Sequence, residues 1–206
     1  MNTRMPIISL IIAAAISGLM LLPESLQAAL YYDHQAVMSG TYYSLLTGHF
    51  MHSDFNHWLW NCLAMLTLGT VIELTSKRLL AGCLLAGIAG VDILLLSAFS
   101  PLDYYCGLSG VLNSLLVVAL WQIWQQTRSQ WVIASVLLCI GKIFIETNSQ
   151  QSLITHISWP PYPAAHGAGA TAGLLVVLWL FFKTYNTASS GNILSEKTFS
   201  RFNKPT

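Results

Sequence analysis

Apolar residues gather in long runs along this chain, and polar residues collect in the gaps between them. A hydrocarbon core of about 30 Å takes ~20 apolar residues as a helix, or ~17 at the short end. Six runs qualify, at about Pro6–Leu22, His57–Leu74, Leu79–Phe99, Gly107–Trp124, Trp131–Ile145 and Ala164–Phe182. The pattern predicts an all-α fold: one polytopic membrane domain over residues 1–206, built as a bundle of six transmembrane helices. The fifth run carries Lys142 and is the least clean. A 34-residue loop follows the first run, and residues 183–206 form a polar tail. No repeat, low-complexity stretch or soluble domain interrupts this plan.

Composition agrees with the pattern. The chain is 54% hydrophobic and 8% charged, against roughly 25% charged in a soluble domain. A net charge of +1 offers no basic face to nucleic acid, so membrane lipid is the expected surrounding. Lys and Arg mark the cytoplasmic side of short loops. Arg4, Lys77, Arg78, Arg128, Lys183, Lys197, Arg201 and Lys204, eight of the nine basic residues, fall on one side. The opposite loops hold Glu24, Asp33, Asp54 and Asp103 and no basic residue. Both termini and the tail are therefore expected in the cytoplasm, with runs two, four and six beginning at the outer face. Trp58, Trp60, Tyr104, Tyr105, Trp159 and Tyr162 suit an outer aromatic belt, and Trp121, Trp124, Trp131 and Trp179 an inner one. Arg4, the first apolar run and Gln27-Ala28-Ala29 also read as a cleavable signal peptide. The 17-residue run exceeds the 7–15 residues of such a segment and favours a retained helix.

Strongly polar side chains inside a span cost on the order of 2.5–3.5 kcal/mol each, which makes each one a candidate for function. His57 and Asn61 stand four apart on one face at the start of run two. Ser109, in Gly107-Leu108-Ser109-Gly110, opens run four, with Asn113 one turn below. His166 opens run six. All three runs start outside, so these groups share one depth. A serine hydroxyl becomes nucleophilic when a base takes its proton, and neutral histidine is the usual base near pH 7. Ser109 as nucleophile and His166 as base form a dyad. Asp92 sits mid-span and Glu73 at the cytoplasmic end of run two, so the sequence places no acid at the right depth to orient the histidine. His57, Asn61 and the Ser109 backbone N–H are the candidate donors to an oxyanion. Gly107 and Gly110 permit close approach of substrate and backbone. Gly169 and Gly173 form a small-residue stripe suited to packing run six on run four.

Each signal has a plainer reading. A lone serine is more often a small interface residue, a lone histidine can handle protons in a transporter, and a His-Asn pair can simply bond neighbouring helices. A transporter or channel would spread its polar residues along a path, whereas these cluster at one depth. His49, His52, Asp54 and His57 form an outer cluster read as interfacial rather than metal-binding, since no H-E-x-x-H accompanies it. Glu73 is read as a surface pair with Arg78. No cofactor is called for. Of the four cysteines, Cys62 and Cys106 lie near the candidate site, either bridged to clamp run two to the Ser109 loop or as two free thiols.

Over about Tyr43–Phe182 the sequence resembles the rhomboid family of intramembrane serine proteases. His52-Ser53-Asp54-Phe55-Asn56-His57-Trp58-Leu59-Trp60-Asn61 is similar to that family's second-span motif, with Gly69 and Glu73 further along. Gly107-Leu108-Ser109-Gly110 resembles its nucleophile motif, and Ala165-His166 with Gly169 and Gly173 its A-H-x-x-G-x-x-x-G. Tyr43-Ser44 stand where the family often carries Trp-Arg. Asn113 replaces a tyrosine that usually lies under the histidine ring, which suggests a hydrogen bond to His166 instead. The short form, with neither a cytoplasmic domain nor a seventh span, resembles the rhombosortase branch. That branch processes secreted bacterial proteins bearing a C-terminal tail of Gly-Gly motif, transmembrane segment and basic residues. The resemblance implies an endopeptidase of the inner membrane, its site facing the periplasm and its partners the transmembrane segments of substrates. An acyl-enzyme at Ser109 would be resolved by water or by an amine. The competing reading is a catalytically silent relative that binds membrane segments.

Overall fold

In the computed structural model of the chain, residues 5–149, 159 and 161–202 are described, with side chains beyond 184 excepted. Arg4 and Lys204 lie outside that set. Helices cover α1 (Ile7–Leu19), α2 (Glu24–Leu30), α3 (His34–Met38), α4 (Tyr43–Thr47), α5 (Phe55–Thr75), α6 (Lys77–Leu95), α7 (Ser109–Thr127), α8 (Gln130–Ser149) and α9 (Pro163–Phe202). Two short strands, β1 (Tyr32–Asp33) and β2 (Tyr104–Tyr105), pair antiparallel with Tyr32 opposite Tyr105.

Every apolar run becomes a helix, with differences at the edges. Four helices, α5, α6, α8 and residues 163–184 of α9, are long and apolar enough to cross a membrane, and α1 is apolar but only 13 residues long. The 19-residue α7 is not among the four. It carries Asn113, Ser114 and Gln122 yet lies at the centre of the bundle, where neighbouring helices rather than lipid surround it. The 34-residue loop is not irregular: its polar turns break it into α2, α3 and α4 and the strand that pairs beside the Ser109 loop. The tail expected from Lys183 continues α9 to Phe202.

Local chemistry sets the boundaries. Asp54 caps α5, its side chain accepting from the His57 N–H at 2.9 Å. Ser76 ends α5 and caps α6 by accepting from the Leu79 N–H at 3.2 Å. Glu73 is not a surface partner of Arg78. It is 4% exposed and accepts from the Ile8 N–H, the Ser9 N–H and the Ser9 hydroxyl at 2.9, 2.8 and 2.9 Å. A carboxylate on α5 thereby satisfies the orphan donors at the N-terminus of α1, where the helix dipole also favours negative charge.

The core is formed by Val111, Leu115 and Val118 of α7 against Met65 and Ile72 of α5, Leu80 and Cys83 of α6, and Ile16 of α1. Lipid offers no hydrophobic drive between helices, so close backbone approach does the work instead. A Cβ at Gly169 would overlap the Gly110 carbonyl oxygen, and one at Gly173 would lie 2.6 Å from the Ser114 carbonyl oxygen. On α6, a Cβ at Gly87 would meet Val111 at 3.0 Å, and one at Gly90 would meet Ala172 at 2.9 Å. Gly82 has open space around it. Gly173→Ala should therefore lower stability by about 1–3 kcal/mol by forcing α7 and α9 apart, while Gly82→Ala should change it by no more than ~0.5 kcal/mol. Thermal unfolding of the two variants in detergent checks this.

Candidate active site

Because consecutive long helices alternate in direction, the starts of α5, α7 and α9 and the end of α8 lie at one end of the bundle. The α5–α6 and α7–α8 turns, carrying Lys77, Arg78 and Arg128, lie at the other. At the first end a cavity of about 370 Å³ is lined by His57, Asn61, Ser109, Asn113, Lys142 and His166, with Trp60, Tyr104 and Trp159 among its aromatic walls.

Ser109 is the first residue of α7, presented by a loop held on two sides. The Gly107 N–H donates to the Gly48 carbonyl at 3.0 Å, and the Tyr105 hydroxyl donates to the Gly107 carbonyl at 3.0 Å. Gly107 has φ +121°, and a Cβ there would sit 2.5 Å from Cε1 and Nε2 of His57, so both its backbone and its neighbour require glycine. His166 Nε2 lies 3.0 Å from Ser109 Oγ. The close α7–α9 contact at Gly110 and Gly169 sets that distance.

His57 faces the same loop. Its Nδ1 lies 3.2 Å from Ser53 Oγ, and the Ser53 hydroxyl donates to Asp54 Oδ2 at 2.9 Å. Asn61 is 4% exposed and donates one amide hydrogen to the His57 carbonyl at 2.9 Å, which leaves its second N–H for the pocket. Asn113 does not bond His166. It donates to the Ser109 carbonyl four residues back at 2.8 Å, a local bond that an amide side chain on a helix readily makes. Cys62 and Cys106 are both free thiols. Cys62 turns towards α1, its Sγ 3.7 Å from Ser17 Oγ, while Cys106 lies in the cavity wall, so the two do not form a bridge.

Two residues of this site were not singled out as such by the sequence reading. Glu146, on the last turns of α8, is 1% exposed, and its Oε2 lies 3.6 Å from His166 Nδ1 and 2.6 Å from Lys142 Nζ. An acid does therefore stand at the depth of the histidine, contrary to expectation. It follows directly after the fifth apolar run, where it reads as loop, and the K-x-x-x-E spacing with Lys142 was the available signal.

The outer His/Asp cluster separates into different roles. His49 Nε2 pairs with Asp92 Oδ1 at 2.9 Å and meets the Tyr105 ring edge-on at 5.7 Å. Among the described residues no group of three or more His, Cys, Asp or Glu has metal-binding geometry. His52, just ahead of α5, is 1% exposed. Burial, and then the His57 imidazole 5.0 Å away between ring centroids, pushes its pKa down to about 3. The folded form thus binds fewer protons than the unfolded form between about pH 6.5 and 3. His52 costs nothing above that window, and stability falls as pH drops through it, by about 2 kcal/mol at pH 5. Thermal unfolding at pH 7.5 and pH 5 should show this loss, and His52→Phe should shrink the difference by about that amount.

Residues 39–184, 146 of the 206, match the Rhomboid domain family. No curated protein matches the sequence. Members of the matched family are intramembrane serine proteases that act on transmembrane substrate segments within the bilayer. With its long apolar helices, and with a family match over more than two thirds of its length, this chain is an integral membrane protein belonging to the Rhomboid family.

Proposed function

We propose that this protein is an intramembrane serine endopeptidase in which Ser109 is the nucleophile and His166 the base. The observation that carries the reading is the 3.0 Å contact between Ser109 Oγ and His166 Nε2 within a cavity at one end of the bundle. As a substrate carbonyl enters, the Oγ–H proton passes to Nε2, an Oγ–C bond forms, and the carbonyl π pair moves onto oxygen. The second N–H of Asn61 and the Ser109 backbone N–H, in the first turn of α7 where amides lack intrahelical acceptors, receive that oxyanion. His57 adds a donor from Nε2 when the Ser53 hydroxyl turns from Asp54 onto Nδ1. Collapse then breaks the C–N bond, and Nε2 returns its proton to the leaving amine.

The arrangement in the membrane is part of the same proposal. Six helices, α1 and α5 to α9, span it; Lys77, Arg78 and Arg128 mark the cytoplasmic end, and both termini lie there. The site faces the periplasm from the inner membrane. Within the family, the proposal extends to the rhombosortase branch, with substrates whose C-terminal tails combine Gly-Gly, a transmembrane segment and basic residues.

Labelling of the purified protein with a fluorescent fluorophosphonate tests the chemistry. Ser109→Ala and His166→Ala should each slow labelling by at least about 10³-fold, and unchanged labelling of Ser109→Ala would refute the assignment. A secreted reporter carrying a Gly-Gly tail tests the branch. Val-Val in place of Gly-Gly should cut processing at least about tenfold, since β-branched side chains accept an extended backbone but block the close backbone approach that glycine permits. Equal processing of both reporters would remove the branch assignment.

A further inference from the structure

We propose that Glu146 is the positioning residue for His166, so that the pair at the heart of the site is a line of three groups: Ser109, His166 and Glu146. This rests on the Ser109–His166 reading above. A neutral imidazole carries one N–H, and only the tautomer with hydrogen on Nδ1 leaves Nε2 free to take the serine proton. In this site Nδ1 is buried and makes no hydrogen bond among the described residues. The nearest carboxylate oxygen, Glu146 Oε2, is 3.6 Å away, and the Glu146 side chain is 1% exposed. Contacts of this kind tighten when substrate binds. A slight rotation of either side chain gives a Nδ1–H···Oε2 hydrogen bond that fixes the productive tautomer and stabilises the imidazolium formed when the serine proton arrives. The carboxylate itself stays ionised throughout.

Lys142 explains how an acid is kept at this depth. A lone carboxylate among apolar side chains would be costly, and Lys142 Nζ meets the same Oε2 at 2.6 Å while remaining 33% exposed towards the cavity. Lys precedes Glu by four residues, the less favourable order for helix stability. The pair is better accounted for by where it holds the carboxylate than by what it adds to α8. No other acid reaches the imidazole among the described residues: Asp92 is engaged by His49, Asp54 caps α5, and Glu73 caps α1 at the opposite end of the bundle.

The test follows the maximal labelling rate and the half-saturating concentration of the fluorophosphonate, with unfolding temperature as a control on folding. In the full-length protein in detergent, Glu146→Gln should lower the maximal rate by about 10²-fold with half-saturation changed less than about threefold, because its amide can donate to Nδ1 and select the wrong tautomer. Glu146→Asp should recover the rate to within about tenfold of wild type. Lys142→Met combined with Glu146→Gln removes both charges together and should fold normally, labelling as slowly as Glu146→Gln. Wild-type labelling rates in Glu146→Gln or in the double variant would overturn the inference while leaving Ser109 and His166 standing. So would a loss that tracks unfolding temperature and is not recovered by Glu146→Asp. If the wild-type protein fails to label at Ser109, the parent reading falls instead.

Discussion

A proton passes between a hydroxyl and an imidazole only across about 3 Å, and in this bundle that separation is set by two helices whose backbones touch. Gly110 and Gly169 meet at the level of Ser109 and His166, and Ser114 and Gly173 meet one turn further in. Side chains at these points would act as spacers. Gly87 of α6 continues the same logic on the other flank of α7, so the helix bearing Ser109 is gripped from two directions, while Gly90 packs closely on α9. The geometry of the site is thus a property of the packing and not of the loop alone.

The second governing constraint is that the interior of a membrane protein has little water to satisfy polar groups. Several buried polar side chains have found specific partners. Ser114 donates to the Cys83 carbonyl at 2.7 Å, tying α7 to α6. His49 meets Asp92, so the segment ahead of α5 is anchored to α6. Lys142 meets Glu146 within α8. These bonds are few, two of the three connect different elements, and most lie at the end of the bundle that holds the cavity. Polar groups that would be a liability elsewhere serve here to register the loops against the helices.

Much of this was legible from residue order because membranes make polar residues conspicuous. Ser109, His166, His57 and Asn61 stood out as polar groups at the starts of apolar runs, and alternating helix direction put them at one level. What escaped detection did so for identifiable reasons. Glu146 lies just past an apolar run, where run boundaries are uncertain by a few residues, and so it merged with the loop. The short helices α2 to α4 carry no long apolar stretch to announce them. Asn113 could reach either the neighbouring imidazole or its own helix, and only coordinates show that it takes the Ser109 carbonyl. Glu73 looked like a surface partner for Arg78 because nothing in the order of residues reveals that the start of α1 folds back onto it.

The Glu73 cap has a consequence for how the protein is made. The donors it satisfies, on Ile8 and Ser9, are synthesised 65 and 64 residues before it. At about 5–20 residues per second, α1 waits roughly 3–13 s in the nascent chain before its partner carboxylate exists. Until then water must satisfy those N–H groups, and α1 gains its final partner only after the loop and α5 have emerged.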